Sequence, residues 1–189
     1  MIRYVGRVFR SLGRDRGGAS LIELAFAMPI LVTLLLGGVE IARYVLLHQK
    51  LDRVSSSIAD LVSQAENIST ADLQNIFDAA QFVAKPLNLP TDGTVIVSSI
   101  SNLLGGQVSR VNWQESGGGN IPATSQIGAP GGSVTLPAGL ALTDGQTIII
   151  AEVFYDYVPW ILGDFTGANQ IYHRALFRPR YGGLPTLAP

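Results

Sequence analysis

Hydrophobic and polar positions divide this chain into three stretches with different periods. From Leu24 to Val39 sixteen residues pass without a charge, and back through Ala19–Ile22 the apolar run is broken only by Glu23. A bilayer core takes about 20 helical residues, so the run reads as a membrane span of about residues 21–42 in which Glu23 must reach the interface or find a partner. Beyond Arg43 the apolar positions become periodic. Tyr44, Leu47, Leu51, Val54, Ile58, Leu61, Ala65 and Ile68 are spaced alternately by three and four, with polar residues on the other faces and no glycine or proline from Ile41 to Lys85. This is a heptad seam, and a helix from Ala19 to about Glu66 would be roughly 70 Å long. The seam fits two partners equally: the chain's own outer part, or a bundle of neighbouring helices.

Ser69-Thr70-Ala71-Asp72 supplies a capping-box pattern, and Leu73, Ile76, Phe77, Ala80 and Val83-Ala84 form a second amphipathic helix that ends near Pro86. Four strand candidates follow: Thr94–Ser101, Gln107–Gln114, Gln146–Val158 and Ile171–Arg178, the first two joined through Asn102–Gly106. A long helix followed by short antiparallel strands predicts an α+β fold, with the sheet covering the apolar stripe of the helix. Between the second and third strands, Ser116–Gly145 holds eight glycines and three prolines and no charge before Asp144. Its composition reads as flexible surface filler, with a binding or assembly surface as the second reading. The predicted organisation is a basic leader over 1–18, a long helix over 19–68, and an outer α+β domain over 69–189 that carries the glycine-rich loop 116–145.

Charge sharpens the N-terminal part of this picture. The 189 residues carry a net charge of −1, with 14% charged side chains and a mean hydropathy of +0.30. That balance offers no electrostatic footprint for nucleic acid. The average hides an asymmetry: residues 1–18 hold Arg3, Arg7, Arg10, Arg14 and Arg16 against Asp15, a net of +4, and the remainder of the chain is at −5. Five arginines before the apolar run place the N-terminus in the cytoplasm and the C-terminal part outside, in a single pass. No small-residue cleavage site follows the run, which continues through Gly37-Gly38-Val39-Glu40-Ile41-Ala42-Arg43 into the helical pattern; this favours a retained anchor over an ordinary secretory signal peptide.

Gly17-Gly18-Ala19-Ser20-Leu21-Ile22-Glu23 resembles the processing site of type IV pilin precursors. The resemblance implies that a membrane prepilin peptidase cuts between Gly18 and Ala19, and that Glu23, the fifth mature residue, helps the subunit enter a filament. Elementary electrostatics fits the pairing. A carboxylate in a low dielectric is tolerated when it is paired, and cleavage creates an ammonium on Ala19 of each neighbouring subunit.

The longer stretch Arg16–Pro29, followed by Gly37-Gly38-Val39-Glu40-Ile41-Ala42-Arg43, resembles the TadE family of pseudopilins from tight-adherence (Flp) pilus systems. Members show a proline soon after the glutamate, matched by Pro29, and a Glu-x-x-Arg at the far membrane edge, matched by Glu40 and Arg43. Pro29 bends the helix by removing a bond to the Ala25 carbonyl, and Glu40 and Arg43 can pair along one face. Val111-Asn112-Trp113, Ala151-Glu152-Val153-Phe154-Tyr155-Asp156-Tyr157 and Arg178-Pro179-Arg180 are similar to outer-domain signatures of the same family. Leu21-Ile22-Glu23-Leu24 and Ala151 depart from its more common valine- and phenylalanine-rich forms.

The family implies a type IV pilin-like fold and a minor pseudopilin in the bacterial inner membrane with a periplasmic outer domain. It also implies a place at the base of an extracellular pilus or within it. Its partners would be the prepilin peptidase, other pilin and pseudopilin subunits, Tad inner-membrane assembly proteins and membrane lipid. The alternative is a permanently anchored extracytoplasmic binding or adhesion protein, with the glycine-rich loop and the aromatic residues Trp113, Tyr155, Tyr157 and Trp160 as its surface.

No enzyme, cofactor or metal site is expected. The chain lacks cysteine, and its two histidines, His48 and His173, lie on different elements. Gly117-Gly118-Gly119 is not followed by the Gly-Lys-Ser/Thr of a phosphate loop. Glu152 and Asp156 share a strand face about 13 Å apart, too far for a paired-carboxylate site, and read instead as cross-strand partners of Arg110, Arg174 or Arg178.

Overall fold

A computed structural model of the chain describes residues 17–102, 109–134, 136, 139–161 and 167–188. The basic leader with its five arginines, except for Gly17 and Gly18, lies outside the described residues, as do residues 103–106 of the expected strand connection and 107–108 of the expected second strand. The chain divides into two units, Met1–Arg43 and Tyr44–Pro189.

In the first unit the apolar run is helical. Helix α1 (Gly17–Ser63) begins there, and its large side chains from Leu21 to Ile41 are exposed. It is long and apolar enough to cross a membrane, which suits single-pass membrane anchoring. The helix runs through Pro29, where the missing N–H leaves the Ala25 carbonyl without its usual donor. One turn on, the Thr33 hydroxyl donates to the Pro29 carbonyl at 2.7 Å.

The second unit has the expected α+β architecture. It contains the rest of α1, then α2 (Thr70–Ala84), a single turn α3 (Leu89–Asp92), and strands β1 (Gly93–Ser101), β2 (Arg110–Gly117), β3 (Thr147–Tyr157) and β4 (Asn169–Phe177). The sheet is antiparallel throughout, in the order β2-β1-β3-β4. Sequence placed the second strand at 107–114, whereas β2 spans 110–117 because Ser116 and Gly117 still pair with β1, opposite Ile96 and Val95. The capping box at Ser69 is present: the Asp72 N–H donates to Ser69 Oγ, and the Ser69 N–H donates back to the Asp72 carboxylate at 3.0 Å.

The α1 seam packs on the chain's own sheet. Leu47, Leu51, Val54, Ile58 and Val62 are buried with Val95, Val97, Ile149, Ala151 and Val153. At its far end the seam departs from the heptad reading: Leu61 is 48% exposed and Val62 fully buried. A straight helix has 3.6 residues per turn, so a 3.5-residue repeat drifts by about 20° per heptad, about 40° over the two heptads from Leu47 to Leu61, and Leu61 turns away from the buried face on which Val62 lies. Ser55 is buried in the same stretch, and its hydroxyl donates to the Asp52 carbonyl at 2.9 Å.

The opposite face of the sheet needs its own cover, because β1 is buried along its whole length and β3 along nearly all of it. The glycine-rich loop supplies that cover, which corrects the surface-filler reading. Ile127 and Leu142 are buried against Ile100, Val111, Ile148 and Ile150, with Val134, Leu136 and Leu140 beside them. The loop is also laced to the edge of β2, where the Gly131 N–H donates to the Val111 carbonyl at 2.8 Å and the Val134 N–H to the Ser109 carbonyl at 3.3 Å. Apolar residues widely spaced among glycines leave no period to read.

Truncating the seam at Leu51→Ala is expected to destabilise the outer unit by about 2–5 kcal/mol. Leu61→Ala should stay within about 0.5 kcal/mol, as at an exposed site. Denaturant unfolding of the detergent-solubilised chain, followed by Trp113 fluorescence, compares the two.

Candidate functional site

The sequence-defined residues of the N-terminal segment lie along α1 of the first unit. Gly18 and Ala19 occupy the first turn and are exposed, with nothing near the place where a side chain on Gly18 would sit. The Gly18–Ala19 bond expected to be cut is therefore helical here, whereas a protease cleft needs extended chain. The first turn of a helix holds no completed set of backbone bonds, and glycine is a poor helix former, so unwinding at Gly17-Gly18 costs little. Glu23 is exposed one turn beyond Ala19 on the same helical face. Pro29 is exposed as well, and Glu40 and Arg43 are both half-buried.

The outer unit holds three polar constellations of its own. Glu152 is fully buried, on the face of β3 that the loop covers. Its carboxylate accepts from the Ser125 hydroxyl, from the Gln126 N–H at 2.9 Å and from the Tyr172 hydroxyl at 2.9 Å. The expected arginine pairing is not what forms: Arg174 is opposite Glu152 in register, but its guanidinium lies over the Tyr172 ring, 6.0 Å from the centroid. A loop N–H and a loop hydroxyl reach a carboxylate buried under the loop, and an arginine approaching from the exposed edge does not. Burial, and next the negative charge of Glu152, push the Tyr172 phenol far above its ordinary pKa. Asp156, four residues on, accepts from the Gln170 side chain at 3.3 Å. Glu152 is thus the pin that holds Ser125–Ile127 onto the sheet.

The two histidines, far apart in sequence, meet. His48 Nδ1 on α1 and His173 Nε2 on β4 are 2.8 Å apart, so one ring donates to the other. Tyr44 stacks edge-on against His48 at 4.5 Å and against Tyr157 at 5.7 Å. Burial lowers the His173 pKa, the neighbouring His48 lowers it further, and Asp52 acts in the opposite sense. Among the described residues no three His, Cys, Asp or Glu side chains come together to hold a metal ion.

Gly117-Gly118-Gly119 has a packing role. A Cβ on Gly117 would strike the Phe77 ring, one on Gly119 would strike the Gly93 carbonyl, and Gly118 has φ +75°. These glycines edge a groove of about 330 Å³ whose other walls include Gln74, Asp78, Gln81 and Pro90. The aromatic residues do not form one surface: Trp113, Tyr155 and Tyr157 are buried, while Trp160 is 76% exposed. The Trp113 indole N–H donates to the Leu184 carbonyl at 2.9 Å.

The closing Arg-Pro-Arg, visible in sequence only as a resemblance, contains a helix cap. The Arg180 N–H donates to the Ser63 carbonyl at the end of α1 at 2.8 Å, and its guanidinium reaches Asp60 at 2.7 Å.

These features define a class: one N-terminal apolar helix of membrane-spanning length, joined to a four-stranded antiparallel α+β unit. Residues 18–60 match the model of the family described as TadE-like protein, the family that the sequence resembles. The match runs from the glycine of the processing motif to Asp60, through Glu23, Pro29, Glu40 and Arg43. No curated protein and no solved structure gives a significant match.

Glu152→Ala is expected to cost about 3 kcal/mol or more, since three donors lose one acceptor. Tyr172→Phe, which removes one donor, should cost about 1–2 kcal/mol. Hydrogen exchange at the Gln126 and Ile127 amides should rise in Glu152→Ala before global unfolding. The histidine pair gives a pH prediction. Below the unfolded histidine pKa of about 6.5 the unfolded chain takes up a proton that folded His173 resists, so stability falls as pH drops through that window. The thermal midpoint should decrease between pH 7.5 and 5.5, and His173→Gln should flatten that slope.

Proposed function

We infer that this chain is a TadE-like minor pseudopilin, a structural subunit or priming factor with no catalytic role of its own, that helps assemble a tight-adherence pilus. The observation that carries the reading is the family match over residues 18–60, which starts at the glycine of the processing motif. The chain is anchored in the bacterial inner membrane, with its N-terminus cytoplasmic and its outer unit periplasmic, and chemistry is done to it by a prepilin peptidase. Its other partners are pilin and pseudopilin subunits and Tad inner-membrane assembly proteins.

The helical start of α1 supports a specific role for Glu23. Cleavage at Gly18–Ala19 leaves an ammonium at a helix N-terminus, where the helix dipole disfavours positive charge. A carboxylate at i+4 lies on the face of Ala19 and favours the same end of the dipole. Within one subunit it offsets the new charge, and between subunits it can accept the amine of a neighbour.

Full-length chain produced with the peptidase should yield a mature protein whose N-terminus is Ala19, as read by mass spectrometry or Edman degradation. Gly18→Arg should abolish cleavage, and Glu23→Ala should permit cleavage but reduce pilus assembly. A chain that keeps residues 1–18 and functions with both substitutions would be the permanently anchored binding protein instead.

A further inference from the structure

The turn after β3 sets adjacent apolar side chains on the surface of the outer unit. Val158 is 52% exposed, Trp160 76% and Ile161 40%, with Pro159 between them. Exposed apolar residues are ordinary when scattered, but an unbroken run that includes a tryptophan is not. Its position narrows the meaning. Tyr157, at the end of β3, has its ring 5.7 Å from Tyr44, and Tyr44 is the residue with which α1 enters the outer unit. Val45 and Leu46 beside it are exposed too. Tyr44 is two residues past the expected end of the membrane span, about 3 Å along the helix axis. The polar interfacial layer on each side of the hydrocarbon is several ångströms thick, so Tyr44 stands within it. Trp160 follows three residues after Tyr157, at the same end of the unit.

We propose that Val158, Trp160 and Ile161 form a second membrane contact, a lipid-interface anchor that inserts the turn after β3 among the headgroups beside α1. Tryptophan suits that layer because its amphipathic ring is enriched at membrane–water interfaces. The occupant is lipid because the patch adjoins the point where the chain leaves the span, and because the exposed apolar surface of α1 continues through Leu46 to that point. Such a contact gives the outer unit a hold on the bilayer surface of its own, separate from α1. This inference rests on α1 crossing the membrane.

The chain has no cysteine, so one introduced thiol can carry an environment-sensitive fluorophore. Full-length Trp160→Cys, Val158→Cys, Tyr181→Cys and Leu34→Cys are labelled and reconstituted into phosphatidylethanolamine/phosphatidylglycerol vesicles. Tyr181 is exposed and follows Arg180, whose N–H donates to the Ser63 carbonyl at the other end of α1 from Tyr44 within the outer unit. Labels at 158 and 160 are expected to emit to the blue of the label at 181, to be quenched by nitroxides placed shallowly in the lipid, and to resist aqueous iodide. The label at 34 should be quenched most by deep nitroxides, which reports the anchoring separately. If 34 is deep but 158 and 160 behave like 181, the interface anchor is overturned and the span stands. If the protection at 158 and 160 vanishes when protein is diluted with lipid, a neighbouring copy covers the patch and the lipid proposal is likewise overturned.

Discussion

The outer unit depends on the contact of one helix stripe with one sheet face. Leu47, Leu51, Val54, Ile58 and Val62 are buried against the inward residues of β1 and β3, and each fully buried side chain contributes about 2 kcal/mol. That contact fixes what the other parts must be. Placing α1 on β1 and β3 makes these the central strands of the sheet, with apolar side chains on both faces. A second cover is then required, and among the described residues the buried helix side chains lie in the cluster on the first face. The loop between β2 and β3 takes that place, and its need for a fixed seat explains a buried glutamate on the face opposite the helix.

The loop shows where sequence legibility ends. Periodic elements could be read because their inward residues recur: the seam of α1, the capping box at Ser69 and the four strands all lie near their expected positions. The slip at the far end of the seam, Leu61 for Val62, comes from using 3.5 residues per turn where the helix keeps 3.6. Ile127, Leu136, Leu140 and Leu142 have no such recurrence, and glycine content by itself does not distinguish a loose loop from one that follows a curved surface closely. Glu152 was legible as a carboxylate in need of a partner and misassigned in that partner, because strand register places Arg174 opposite it while the loop supplies the donors. A charge on a run as apolar as Thr147–Tyr157 was the available signal that something polar had to come to it.

The C-terminal segment closes the unit through backbone groups. The Leu184 carbonyl accepts from both Ser99 Oγ and Trp113 Nε1, which holds Leu184 at a positive φ of 46°. The Ala188 N–H donates to the Ile68 carbonyl at 2.8 Å. The Arg180–Asp60 ion pair is half-exposed, so by itself it contributes little. Its weight lies in the Arg180 N–H, which gives a partner to a carbonyl that the end of α1 leaves unsatisfied. The Arg-Pro-Arg signature therefore marks a chain crossing at the end of the long helix, and a surface charge count would have ranked it wrongly.

The low charged fraction of the chain follows from the same division. Along α1 the exposed surface from Leu24 to Val39 is uncharged, and Glu23 stands at the N-terminal edge of that surface. Under the proposed processing, removing residues 1–18 takes away a net +4 and leaves a mature chain at −5 with a single new cation, the Ala19 amine. That amine is placed one helical turn from Glu23, so the step that releases the basic anchor also creates the counter-charge that makes a carboxylate tolerable at the lipid boundary. An uncleaved chain would lack that charge at Ala19 and would hold its basic residues on the cytoplasmic side. On the proposed reading the two states differ most at the one carboxylate in the apolar run, Glu23.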